Sequence, residues 1–448
     1  MSRMSSWLAM CTAALALSSS VATPAGAKHG LPAFPGAEGF GADTPGGRGG
    51  RILLVTNLND SGPGSLRAAC EAEGPRIVVF RVAGAIELEQ DLVIRNPYIT
   101  LAGQSAPGDG ICLKRHPLQI RTHDAVVRYL RCRPGDLARK EMDSLSVSGE
   151  RVVVDHCSAS WGIDETLSVT HSRDITVQWC MITESLNCSY HHKGPHGFGS
   201  LISGEDGGIT FHHNIYSHHV TRNPRPGGYA GRPGPILDFR NNLIYDWVAF
   251  CGYTGRERVR INYVGNYLKP GPSAAPRGRG FAFYPGGLLT TLFAAGNVIE
   301  GFPEKTRDNW LMIQPLGPYN RSALRFMRAA QPFPVAPVRT DSAQVAYRRI
   351  LDQCGAALPM RDAVDARIVE EIRTGAGKII DSQSEVGGWP EYKSAEPPAD
   401  SDLDGLPDAW ESKHGLDPRN PEDRNGDRDA DGYTNLEEYL NSLCPTIY

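Results

Sequence analysis

Long apolar runs are missing from this chain. Past residue 27 no segment approaches the roughly 20 consecutive apolar residues that a membrane span requires, so no spanning helix is expected. Strong charge of one sign is missing too. With 46 Lys and Arg against 50 Asp and Glu the net charge is −4, which favours no nucleic-acid partner. The cysteines lack C-x-x-C spacing, and nine of the 10 lie beyond residue 27, an odd number that does not make a disulfide framework. Histidine is present in pairs, but no H-E-x-x-H set exists to hold zinc, and neighbours on a strand point to opposite faces. No helical pattern of constant length recurs. These absences leave a soluble chain whose order must come from something other than helices, staples or a zinc core.

What is present is a repeat. Short apolar segments close on Cys or Asn at Cys132, Cys157, Cys180, Asn214, Asn242, Asn266 and Asn297, at intervals of 23 to 34 residues. Ile99-Thr-Leu-Ala-Gly-Gln104 has the same form one step earlier. A period of this size made of strand-like units with turns between them predicts a solenoid of parallel strands, stacking like residues into ladders. Cys132, Cys157 and Cys180 are read as small buried residues sharing one ladder position. The flat side of such a coil suits an extended polymer. The expected fold class is all-β, with helical patterns only after the coil, at 342–354 and 361–373.

The chain divides into three parts by composition. Residues 1–27 carry Arg3, an apolar run from Trp7 to Leu17 and Ala25-Gly-Ala27, the pattern of a secretory signal peptide. Residues 28–393 are expected to be the coil with its extension from about 301. Residues 394–448 are expected to be a linker and a small module. There, Asp400, Asp402, Asp404, Asp408 and Glu411 fall at calcium-loop positions, with Gly405 at the sharp turn. Asp427, Asp429, Asp431, Asn435 and Glu438 repeat the arrangement. Residues 396–440 hold 14 acidic and 4 basic side chains, so the rest of the chain is mildly basic. Cations are implied for the tail and an anion for the body. The tail's role is open between a calcium-folded structural unit and a dockerin-like attachment module.

Within the coil, Glu141 and Asp143 stand about one period before Asp164 and Glu165, so the acids of neighbouring turns can meet. Carboxylates crowded in this way repel unless a cation sits among them, and oxygen donors without cysteine suit Ca²⁺. Lys193, after His191 and His192, and then Arg222 and Arg225, are expected to form a cationic lip opposite these acids. Arginine forks suit carboxylates. A cleft with a bound cation on one side and Arg/Lys on the other is built to hold a polymer of carboxylate sugars.

Several motifs make the chain similar to the secreted bacterial pectate lyases of polysaccharide lyase family 1, in the branch with a C-terminal calcium-loop module. They are Phe34-Pro-Gly-Ala-Glu-Gly-Phe-Gly41, Thr56-Asn-Leu-Asn-Asp-Ser-Gly-Pro-Gly-Ser-Leu-Arg67, Arg131-Cys-Arg-Pro-Gly-Asp136, Asp155-His-Cys-Ser-Ala-Ser-Trp161, Thr221-Arg-Asn-Pro-Arg225 and Leu358–Arg367, with Val386-Gly-Gly-Trp-Pro390. The resemblance implies a right-handed parallel β-helix, polygalacturonate (pectin) as substrate and calcium-assisted β-elimination to 4,5-unsaturated products by a secreted, monomeric enzyme. It implies Arg222 as base, Lys193, Arg225 and His192 as substrate contacts, and Asp143 and Asp164 as calcium ligands beside Glu141 and Glu165. The chain departs from the family at Ser168, where an aspartate is usual. A β-helix polygalacturonase would need paired carboxylates without a cationic base, which Arg222-Asn-Pro-Arg225 argues against. A non-catalytic polysaccharide-binding solenoid would bind substrate without turnover.

Overall fold

Each circuit of the chain lays down three short strands. In one turn they are Glu150–Asp155, Ser158–Ser160 and Leu167–Val169, after which Arg173–Gln178 opens the next. The structure, a computed structural model, describes residues 30–444; the signal peptide expected at 1–27 lies outside them. Like strands of successive turns pair in parallel and form a long sheet of ten strands, a middle sheet of nine and a short sheet of six. The architecture is the parallel β-helix expected from the repeat. Alternate residues point inward, so Val152, Val154, Ala159, Leu167, Val169, Ile175 and Val177 join one continuous apolar core.

The repeat is a corner. Between the long and middle sheets one residue adopts a left-handed conformation and the next turns inward: His156 (φ 49), Trp179 (φ 53), His213 (φ 54), Asn241 (φ 50), Gly265 (φ 64) and Gly296 (φ 68) precede Cys157, Cys180, Asn214, Asn242, Asn266 and Asn297. The inward asparagines form a buried ladder. Nδ2 of Asn214, Asn242, Asn266 and Asn297 donates to Oδ1 of the next asparagine at 2.9, 3.2, 2.9 and 2.9 Å, ending at Asn309. Each Nδ2 also donates to a strand carbonyl, so the buried amides are satisfied, at about 1 kcal/mol net per bond. Outside the same corner, Tyr129, His156, Trp179 and His213 stack at centroid distances of 4.8, 5.9 and 4.3 Å.

One expected rung is misplaced. Cys132 pairs with Ala159, two residues beyond the ladder, and Leu130 precedes Arg131, the partner of Ser158, in the place of Cys157. The left-handed residue of that turn is Tyr129 (φ 55), so its follower Leu130 fills the inward corner, and Cys132 enters the core two residues later, at the Ala159 position.

The motifs outside the coil fasten elements to it. Gly41 lies so close to the long sheet that a Cβ there would come within 2.4 Å of the Val152 carbonyl oxygen. Helices Ala343–Gln353 and Ala363–Thr374, close to their expected limits, bury Ile350, Val364 and Ile368 against Trp161, Trp179 and Met181 of the middle-sheet side. Arg133 is fully buried between Asp362 and Asp365, and Arg367 donates to Glu184 at 2.8 Å. These pairs explain why Arg131–Asp136 and Leu358–Arg367 occur in one chain.

The acidic tail also packs onto the coil. Leu406, Leu436 and Leu440 bury against Ile77, Val79 and Ala102, on the outward face of the first long-sheet strands. Arg48 pairs with Glu437 at 2.9 Å and Arg81 with Asp400 at 3.2 Å. Among the described residues no helix is long and apolar enough to cross a membrane.

Candidate active site

The site forms where the loops entering the short sheet stack. Glu165, Phe198 and Thr221 pair by single bridges on three consecutive turns, so Glu165 and Arg222 share one column, two turns apart, although 57 positions separate them. One oxygen of each of Asp143, Asp164 and Glu165 lies within 4.8 Å of the others. The Glu165 N–H donates to Asp143 Oδ1 at 3.0 Å, fixing the acids of adjacent turns to each other.

The electrostatics of this group are uneven. Burial, and then the Asp164 charge, pushes the Asp143 carboxyl up to about 7. Burial also opposes ionisation of Asp164, but the hydrogen bond and charge of His196, with His191 and Arg222 nearby, outweigh it and hold that carboxyl below its ordinary value. His196 Nε2 is 2.9 Å and His191 Nε2 3.5 Å from Asp164 Oδ1. Three buried or half-buried acids at this spacing, offering oxygen donors only, fit Ca²⁺ in donor type, and Asp143, Asp164 and Glu165 are the residues able to hold it.

The cationic residues are closer than a lip facing the acids. Arg222 is in contact with Glu165, and its guanidinium lies 4.2 Å from the Phe198 ring centre. Arg225 opens the next short-sheet strand and pairs with Glu257 at 2.6 Å. Lys193 is exposed in the loop above, with its backbone N–H donating to His191 Nδ1 at 3.1 Å. Exposed His192 contacts Glu141, so Glu141 is grouped with His191 and His192 and stands apart from the three acids. His191 and His192 lie in a loop, not on a strand, and their rings stack at 4.9 Å, while His191 and His196 are face to face at 3.6 Å. Phe198, Glu257 and the orienting roles of His191 and His196 had no sequence signal, because loop residues carry no period.

The tail holds a second acid cluster. Asp400, Asp402 and Asp404 converge, and Asp404 and Glu411 converge with Asp423, which lies outside the expected loop. Both oxygens of Asp402 and Glu411, Asp404 Oδ2 and Asp423 Oδ1 are buried without a hydrogen-bond partner. Asp408 instead accepts from Ser401 N and Oγ, both at 2.7 Å. In the second loop, Asp427 accepts from the N–H groups of Asp431 and Gly432, and Asp431 from Tyr433. Glu438 pairs with Arg428 at 3.0 Å, and Asn435 Oδ1 and Glu438 Oε1 are buried and unpartnered. Asp429 is exposed.

No family model matches the chain. Among curated proteins it is 34% identical over 430 residues to "Probable pectate lyase C" of Aspergillus terreus, covering 93% of this chain and 95% of the relative. The protein of the same name from Emericella nidulans is 35% identical over 432 residues, covering 93% and 94%. These relatives are fungal, whereas the motif resemblance pointed to bacterial enzymes. In fold, the chain is similar to the cedar pollen allergen jun a 1 (TM-score 0.54, 15% identity, 71% of this chain and 92% of that one). It is also similar to a pectate lyase solved to study substrate specificity and the anti β-elimination mechanism (TM-score 0.50, 15% identity, 73% and 98%).

Proposed function

Because the chain belongs to the pectate lyase family, we propose that it cleaves de-esterified polygalacturonate by β-elimination, with Arg222 as base. The observation that carries this reading is the contact of Arg222 with a cluster of three acids suited to Ca²⁺. The product is a 4,5-unsaturated oligogalacturonide. The C5–H bond breaks, its electron pair forms the C4=C5 double bond, and the C4–O bond leaves with its pair on the glycosidic oxygen, which is then protonated from water.

Asp143 and Asp164, with Glu165 beside them, are the residues to hold Ca²⁺, which supplies charge withdrawal from the uronate carboxylate and so acidifies C5–H. His196 and His191 aim the Asp164 carboxylate. Lys193 and Arg225 recognise carboxylates of flanking sugars, and His192 lines the same rim. Arg222 acts only in its neutral form, so it must give up a proton before it accepts the one from C5. The chain is read as a secreted monomer.

In the tail, Asp400, Asp402, Asp404, Glu411 and Asp423 are the residues to hold a structural Ca²⁺, with a second ion at Asp427, Asp429, Asp431, Asn435 and Glu438. The packing of Leu406 and Leu436 on Ile77 and Val79 favours a latch on the first turns over an attachment module. The experiment is incubation with polygalacturonate, followed by ultraviolet absorbance, with calcium and then with chelator. A calcium-dependent rise supports elimination. Reducing ends without absorbance mean hydrolysis, and binding without either means a non-catalytic solenoid.

A further inference from the structure

We infer that Glu165 is a positioning residue for Arg222 and not principally a calcium ligand; the inference rests on the lyase reading above. Glu165 is 3% exposed and stacks directly under Phe198, which stacks under Thr221, the residue before Arg222. This column sets the carboxylate against the Arg222 guanidinium on one side and the Phe198 ring against it, 4.2 Å from its centre, on another. The backbone completes the clamp. Arg222 is left-handed (φ 63), its carbonyl accepts from Ser200 N at 2.8 Å, and the following N–H donates to the Cys251 carbonyl at 2.8 Å.

A guanidinium on a four-bond stem is poorly placed for proton abstraction unless it is held, and misplacement by about 1 Å costs on the order of 10²-fold. Arg225, three residues on, is engaged by its own acid, Glu257, so the two arginines are held separately. Asp143 and Asp164 differ from Glu165 in lacking a direct arginine contact among the described ion pairs. Asp143 Oδ1 meets the Glu165 N–H and Asp164 Oδ1 meets His196, whereas Glu165 Oε1 is set against Arg222.

The test compares Glu165→Gln, Glu165→Asp and the unmutated enzyme by kcat and KM on polygalacturonate at saturating calcium. Calcium affinity is measured by calorimetry without substrate, and folding by circular dichroism. Glu165→Gln is expected to lower kcat about 100-fold with KM little changed, while calcium affinity shifts by less than the roughly 10-fold that loss of a metal-site group produces. Glu165→Asp, which keeps the charge, is expected to recover part of kcat. Unchanged kcat overturns the inference, as does calcium affinity that falls in step with activity and activity restored by more calcium. If Glu165→Gln does not fold, the Asp variant decides by the same split. Failure of the unmutated enzyme to form unsaturated product defeats the lyase reading instead, and the calorimetric arm still tells ligand from non-ligand.

Discussion

The cleft and the tail each crowd carboxylates, yet they meet the resulting repulsion in different ways. In the cleft Arg222 meets Glu165, and His196 and His191 meet Asp164; Asp143 accepts only a neutral N–H, from Glu165, among these contacts, and burial with the Asp164 charge keeps it raised to about 7. In the tail cluster Arg81 reaches Asp400 at 3.2 Å, but six oxygens of Asp402, Asp404, Glu411 and Asp423 face one another with no donor. Burial, and then the charges of the neighbouring acids, lifts both Asp404 and Glu411 to about 7. The difference teaches how far each cluster depends on its ion. A cluster with two of its three acids met by protein cations can stand without its ion, whereas one whose oxygens lack donors needs the ion to fold.

The largest expected effect breaks the cleft. Arg222→Ala is expected to lower kcat by about 10²- to 10⁴-fold, the range for loss of a positioned base, and to lower the calcium-free melting temperature, because it leaves the buried Glu165 carboxylate without its cation. Absorbance at saturating substrate and a thermal melt check both halves. The tail variant Asp402→Asn with Glu411→Gln is expected to spare turnover instead. It loses the calcium-dependent part of its stability, about 2.7 kcal/mol at calcium 100 times the dissociation constant, and keeps its turnover while folded. Loss of turnover in the folded double variant is evidence against the division of labour between the clusters.

How far these clusters could be read from sequence depended on the distance between their members. The tail loop was legible because Asp400, Asp402, Asp404 and Glu411 are local, but Asp423 enters from the next segment and has no fixed spacing. The coil was legible because its corner recurs. The rung at Tyr129–Leu130 carried no such mark, because the corner is set by backbone handedness, and Leu130 fills it as well as Cys or Asn does. The approach of Asp143 and Asp164 followed from the period. The contact between Glu165 and Arg222 did not, since it spans two turns joined by loops of unequal length, including the one bearing His191–His196.

A pH experiment sharpens the comparison from the tail side. Asp404 and Glu411 are raised to about 7 from ordinary values of 3.8 and 4.5, so without calcium the docked tail binds more protons than the free one. Its stability is then full below about 4 and lost as pH rises through about 7. In chelator, fluorescence of Trp410, which packs in the docked tail, is expected to report release over that window. Calcium is expected to abolish the transition. A calcium-free tail that stays docked at pH 8 shows that the leucine contacts hold it unaided.

The smallest expected effect makes the cleft resemble the tail. Ser168 is buried on the short sheet, opposite Ser146 on one side, with Asp143 and Glu165 at the strand entries just before them. Ser168→Asp adds a fourth carboxylate to the three already there. Calcium affinity in calorimetry is expected to rise by roughly tenfold, within the range that ligand charge alone tunes in such sites. Calcium-free stability is expected to fall, because the new charge is buried beside an Asp143 that already resists ionisation. Both changes must appear together. Tighter binding without apo destabilisation means that Arg222 and the histidines can neutralise a fourth acid, and that the cleft tolerates its acids through spare positive charge and not through a balance of named pairs.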